Sequence, residues 1–252
     1  MLLNDKTVLI TGASSGCGAM IAKYFAKEGA TIVVNYLTNF HGANRVVAEI
    51  KNAGGNAACF QADVRDETQV KAMFQEANII LGKSVDIIVN NAFPGFKGGK
   101  VGEANWEKYE TSFETIIHGT VNICKAGLPN MIDKNFGRII NIGSTSIYNF
   151  NAGHAPYITA KGALTTLTRS LDRDYGKYNI TANMVTPGSV WPDDNGPQPD
   201  YLSQYKEQVH YTPLGRIANT EDVAKACLFY ASDLSTFITG TNLLVCGGMV
   251  MD

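Results

Sequence analysis

The chain has 252 residues, 45% of them hydrophobic and 17% charged, with a formal net charge of −2. That length suits one α/β domain with a large core. The near-neutral balance offers no basic field for nucleic acid or an anionic membrane, and no apolar run is long enough to span a bilayer.

Five cysteines (17, 59, 124, 227 and 246) are scattered, odd in number and never in a C-x-x-C pair. Cys59, Cys124 and Cys227 lie in apolar stretches and read as reduced core residues. No metal site is expected. The N-terminus lacks a charged segment followed by a long apolar stretch and cleavage site, so a cytoplasmic protein is expected.

Residues 7–10 (T-V-L-I) are a short β-branched apolar run and predict a buried strand. T-G-A-S-S-G-C-G follows at 11–18, and helical periodicity runs over 16–28. Strand, glycine turn and helix is the context in which a loop cradles phosphates. Gly12 permits the tight turn, Gly16 lets the backbone approach a pyrophosphate, and Gly18 allows close helix–strand packing. Ser14, Ser15 and Cys17 complete the loop, and the helix N-terminus adds N–H groups and partial positive charge. The spacing is G-x-x-x-G-x-G rather than G-x-G-x-x-G. A tight βα turn without ligand would have the same local shape.

Further strand-like runs fall at 30–35, 57–62, 85–90, 137–143, 180–186 and 242–246. Helical patterns fall at 41–53, 66–82, 104–133, 157–176 and 220–231. This alternation predicts α/β architecture: one doubly wound (Rossmann) domain over 1–252, with a parallel seven-stranded sheet and helices on both faces. A Pro-, Gly- and Asp-rich break over 187–213 reads as a substrate lid at about 188–213. The motifs sit at the carboxyl ends of strands, where such sheets bind ligands.

Past mid-chain comes Y-I-T-A-K. Tyr157 and Lys161, at i and i+4, share one helix face. An ammonium beside a phenol lowers its pKa from about 10. The Ser144 hydroxyl, upstream, can hold a carbonyl oxygen against that phenol. The trio makes a proton donor for a ketone or an acceptor for an alcohol.

The glycine pattern, A-D-V at 62–64, N-N-A at 90–92, N-I-G-S at 141–144, Y-x-x-x-K, P-G at 187–188 and I-T-G-T-N-L-L-V-C-G-G-M at 238–249 occur in order. Together they resemble the short-chain dehydrogenase/reductase family almost end to end, most of all its 3-oxoacyl-acyl-carrier-protein reductases. The resemblance implies a nicotinamide cofactor as hydride source, Tyr157 as general acid in reduction and Ser144 polarising the substrate oxygen. It implies that Lys161 holds the nicotinamide ribose and lowers the tyrosine pKa. Asp63 would contact the adenine amine, or else cap a strand-end turn, and Val64 would supply a backbone contact. Asn90 and Ala92 would stabilise the sheet and line the ribose. Pro187, Gly188 and Val190 would flank the carboxamide. Phe93-Pro94 replaces the family's glycine at 93, changing either the wall beside the nicotinamide or the loop path.

The second strand ends in Asn35, Tyr36, Leu37, Thr38 and Asn39, with no acid. A carboxylate there, at the position Tyr36 holds, would accept from the ribose 2′-hydroxyl of NAD and repel a 2′-phosphate. NADP(H) is therefore favoured, with NAD(H) as the alternative. Asn35, Thr38 and Ser14 are neutral donors for the phosphate.

Two departures from the family stand out. Ile116 takes the place of an Asn that holds a helix kink and a proton-relaying water. Thr115 and His118 are its polar neighbours, and His118 reads as a surface or interface residue. Pro192 takes the place of a carboxamide-binding Thr. Trp191 either stacks on a ligand or anchors the lid. Asp193, Asp194 and Asp200 make the lid acidic, and Lys97 and Lys100 flank the site.

The expected activity is interconversion of a ketone and a secondary alcohol, most of all reduction of a 3-oxoacyl-type (acyl-carrier-linked) or small carbonyl substrate. The alternative is a nucleotide-binding or structural subunit with little turnover. Relatives pair helices like 104–133 and 157–176 between subunits, so a homotetramer or homodimer is expected.

Overall fold

The computed structural model describes residues 1–96, 98–149, 152–191 and 205–251. Mostly apolar runs fill β1 (Thr7–Ile10), β4 (Ile87–Asn90) and β5 (Gly137–Ile142), the last with Arg138 and Asn141 among them, and every residue of the three is buried. That is the pattern of strands covered on both faces. They form the middle of a seven-stranded sheet with β2 (Thr31–Tyr36), β3 (Asn56–Gln61), β6 (Ile180–Pro187) and β9 (Asn242–Val245). The strand order is β3-β2-β1-β4-β5-β6-β9, and every pairing is parallel. All seven expected strands are present within two residues of their expected bounds.

Successive side chains on a strand point to opposite faces, and two cores result. Val8, Ile10, Ile32 and Val34 pack with Ile21 and Phe25 of α1 (Gly16–Lys27), Val46 and Ile50 of α2 (Phe40–Asn52) and Val223 of α9 (Thr220–Ala231). Leu9, Val33, Ile88 and Ile139 face the other way. They meet Met73 and Phe74 of α3 (Glu67–Leu81), Ile123 and Met131 of α5 (Gly119–Asp133) and Leu171 of α7 (Ala155–Tyr175). The chain order reverses between β1 and β4, which opens a crevice at the strands' carboxyl ends.

The single helix expected over 104–133 is interrupted. α4 (Trp106–Phe113) runs into a π-turn at Glu114–His118, and α5 follows. Such wide turns concentrate at functional sites. The Thr120 hydroxyl donates to the Ile116 carbonyl at 2.8 Å. The irregular turn is thus formed with isoleucine at its centre.

Pro156 occupies the first turn of α7, where a missing N–H costs nothing. Near the start of the expected lid and beyond its end, β7 (Val190–Trp191) pairs in parallel with β8 (Ala218–Asn219), and α8 (Lys206–Tyr211) lies between them in sequence. Pro192, Asp193, Asp194 and Asp200 of the lid, and Lys97, fall outside the described residues.

Candidate active site

The glycine loop joins β1 to α1. Gly12 and Gly16 take φ of +61° and +55°, where a side chain is strained. A Cβ at Gly18 would stand 2.7 Å from the Gly12 carbonyl oxygen, so the loop closes on itself only with glycine there. A Cβ at Gly16 would meet nothing within 4 Å. Ser15 makes no side-chain cap to α1, and the helix's first turn carries no acid. Open space in front of a bare loop, at a helix N-terminus without negative charge, fits a diphosphate.

Side chains from neighbouring strands hold this loop. The Thr11 hydroxyl accepts from the Asn91 and Ala92 N–H groups at 2.9 and 3.0 Å. The Asn91 carboxamide donates to the Thr11 and Gly12 carbonyls at 2.9 and 3.2 Å. Thr11 and Asn91 did not emerge from the sequence as site residues, although their signals lay in the first residue of T-G and the second of N-N-A.

Asn35 requires a correction. It is 2% exposed, its carboxamide oxygen accepts from Gly12 N–H at 3.2 Å, and its NH2 donates to the Ala62 carbonyl at 3.0 Å. It fixes the loop to β3 and is not turned out to meet a phosphate. Tyr36 is buried at the strand end, with its ring tilted against Phe40 at 5.9 Å. Thr38 is exposed. Asn39 caps α2 through Gly42 N–H, and α2 has no acid in its first turn. A Cβ at Gly42 would stand 2.5 Å from the Ser14 carbonyl oxygen, so the α2 N-terminus abuts the glycine loop.

Asp63 is engaged by Arg65 through two guanidinium nitrogens, at 2.6 to 3.0 Å, and through the Arg65 N–H at 3.0 Å. These bonds hold its carboxyl below the usual range. Its observed part is therefore the strand-end turn. Val64 is buried, and its carbonyl accepts from Asn122 at 3.0 Å.

Asn90 donates to Asn141 at 2.8 Å, and Asn141 donates to Thr168 at 2.9 Å, tying β4, β5 and α7 together. The buried Asn90 carboxamide oxygen has no hydrogen-bond partner in the protein. It lines a small cavity with Ala92, Thr115, Ile116 and Lys161. Pro187 and Gly188 lie at the end of β6, with the Pro187 carbonyl accepting from Thr145 N–H at 3.0 Å. Val190 is half-buried in β7.

Ser144 follows β5, while Tyr157 and Lys161 sit one turn apart near the start of α7. The Ser144 hydroxyl stands near enough to the Tyr157 phenol to oppose the upward shift of its pKa. It also donates to the Ser146 hydroxyl at 3.0 Å and accepts from Ser146 N–H at 3.2 Å, which fixes its rotamer. Lys161 is 5% exposed, and its ammonium donates to the Ile142 carbonyl. Burial lowers its pKa from 10.5 to about 8.

The expected lowering of the phenol by Lys161 is corrected by the structure. Burial raises Tyr157 above its ordinary value, and the Ser144 hydroxyl opposes this only in part. The Lys161 nitrogen lies 5.8 Å from the ring centroid and is turned to Ile142. Desolvation disfavours the phenolate, and no ammonium stands close enough to overcome it.

His118 is half-exposed and paired with Glu114 at 2.7 Å, away from the trio. A cleft of about 700 Å³ opens beside Ser144, lined also by Ser146, Asn149, His154, Gly188 and Tyr211.

A glycine cradle for a diphosphate and a phenol beside a serine, both at strand carboxyl ends of a doubly wound sheet, define an oxidoreductase of the dinucleotide-binding class. A family profile described as enoyl-(acyl carrier protein) reductase matches residues 12–250. The 3-oxoacyl-(acyl-carrier-protein) reductase of Staphylococcus aureus is 34% identical, over 98% of each chain. A solved 7α-hydroxysteroid dehydrogenase, in complex with NADH and 7-oxo glycochenodeoxycholic acid, is 31% identical with a TM-score of 0.90, over 100% of this chain and 96% of that one. A blue fluorescent protein from a metagenomic library, in complex with NADPH, is 34% identical with a TM-score of 0.89 over the whole of both chains. The chain belongs to the short-chain dehydrogenase/reductase family and is an oxidoreductase acting on CH–OH or carbonyl groups.

Proposed function

We propose that this protein is an NADP(H)-dependent enzyme that interconverts a ketone and a secondary alcohol, working chiefly as a reductase on a 3-oxoacyl-type or small carbonyl substrate. The observation that carries this reading is the buried Tyr157 phenol set beside Ser144, with Lys161 buried one helical turn on. The glycine loop from Gly12 to Gly18 would hold the diphosphate, and Lys161 and Ala92 would face the nicotinamide ribose. Bound there, the nicotinamide supplies the hydride. Ser144 donates to the carbonyl oxygen and orients it, and Tyr157 gives that oxygen its proton. A phenol raised by burial stays protonated at neutral pH, which suits reduction. Lys161, at about 8, is mostly ammonium there and orients the ribose.

Two features support NADP(H) over NAD(H). The end of β2 carries no carboxylate to repel a 2′-phosphate. The α2 N-terminus, free of acid and set against Ser14, offers it partial positive charge. Segment 188–213 acts as the lid, its start held by the pairing of β7 with β8 just beyond its end. Association into a homodimer or homotetramer fits the sheet-edge position of β9 and the apolar groove formed by Leu214, Leu243 and Leu244 beside it.

The test is incubation with a ketone panel and either NADPH or NADH, following loss of reduced-nicotinamide absorbance. Turnover is expected with NADPH at a higher kcat/KM than with NADH. Nucleotide binding without turnover of any ketone would instead favour a subunit that has lost its chemistry.

A further inference from the structure

Aromatic rings crowd the catalytic phenol more than proton transfer requires. Phe93 and Phe96, in the loop after β4, are 51% and 50% exposed. Phe93 meets the Tyr157 ring near-perpendicularly, with centroids 5.5 Å apart, and Phe96 does so at 6.1 Å. Phe96 also meets His154, which lines the cleft, at 4.4 Å. Tyr211, 64% exposed, and Met249 contribute further apolar surface to the cleft. Trp191 and Tyr205, the described residues on either side of 192–204, pair at 5.8 Å. Phe93 and Phe96 stand beside the cleft rather than among its lining residues, and half-exposed aromatic rings favour flat partners that meet ring faces and edges.

Charge points the same way. Among the described residues, Glu207 is the one acid lining the cleft, and no lysine or arginine lines it. Of the described lysines near the Phe93–Phe96 loop, Lys100 is paired with Glu103 at 3.0 Å and Lys108 donates to the Gly98 carbonyl at 2.8 Å. Among the described residues, an anionic carrier or carboxylate would meet an acid without a free counter-cation there.

We infer that the substrate is an uncharged, flat, ring-bearing ketone, aryl or fused-ring, with Phe93 and Phe96 setting the preference. This rests on the carbonyl-reductase reading and narrows it. The ketone carbonyl accepts from Ser144 and Tyr157, and its ring system lies along Phe93 and Phe96. Reduction adds a hydride to the carbonyl carbon and the Tyr157 proton to its oxygen, giving the secondary alcohol and oxidised nucleotide.

The experiment measures kcat/KM with NADPH for 2-tetralone, for the open-chain ketone of equal carbon count (2-decanone) and for acetoacetyl-CoA. 2-Tetralone is expected to lead both by about tenfold, on the scale of one favourable aromatic contact. Phe96→Ala and Phe93→Ala should each lower the tetralone-to-decanone ratio, by up to about tenfold. Thermal unfolding verifies that each variant is folded. If 2-decanone or acetoacetyl-CoA matches 2-tetralone, or if neither variant moves the ratio, the inference is overturned and the reductase reading stands. Failure of every ketone with both nucleotides overturns the reductase reading and takes the inference with it.

Discussion

Lys161 is a buried ammonium, and its cost to the fold can be measured. Its pKa falls from 10.5 to about 8 through burial. The folded lysine therefore loses its proton at lower pH than the unfolded one. Between about 8 and 10.5 the unfolded chain binds more protons, so stability rises with pH through that window. With those two values, the wild type should gain about 2 kcal/mol from pH 7 to 9.5 through this residue alone. Lys161→Met keeps the volume and removes the titration. It also leaves the Ile142 carbonyl without its donor, a loss that does not depend on pH. The assay is urea unfolding of both proteins at pH 7, 8, 8.5, 9 and 9.5. The difference, wild type minus variant, should climb in favour of the wild type as pH rises. A flat difference across that range would show that the lysine is not desolvated as the structure implies.

Coenzyme choice and the core give two further tests. Tyr36→Asp puts a carboxylate where the 2′-phosphate is proposed to lie, and should lower the NADPH-to-NADH ratio of kcat/KM by at least about tenfold. An unchanged ratio would place the phosphate elsewhere. Phe25 is fully buried under the first core, and Phe25→Ala should cost about 3–5 kcal/mol in urea unfolding. A loss below about 1 kcal/mol would mean that the helix layer collapses into the gap.

Much of this architecture was legible because burial on both faces leaves a direct mark on sequence. β1 reads as a short, β-branched apolar run, and the Gly12–Gly18 loop carried its backbone requirement in residue type. The π-turn at Glu114–His118 was legible only as a kink that the resemblance implied at Ile116. The carbonyl of Ile116 is satisfied by the Thr120 hydroxyl, one of many threonines with no distinguishing context. Asn35 was misread because its exposure depends on the β3 end at Ala62, a contact across 27 residues. The phenol's shift was misread for a related reason. The i, i+4 spacing places Lys161 on the right face, but it does not reveal that the ammonium turns to Ile142 while the ring is buried.

The proton donor is tested most directly by Tyr157→Phe, which removes one oxygen and leaves the ring among Phe93 and Phe96. Titration with NADPH by fluorescence, alongside turnover on the best ketone of the panel, separates binding from chemistry. Nucleotide affinity within about threefold of wild type, with turnover lowered by at least about a thousandfold, is the expected result. Substantial reduction by the phenylalanine variant would mean that another group delivers the proton.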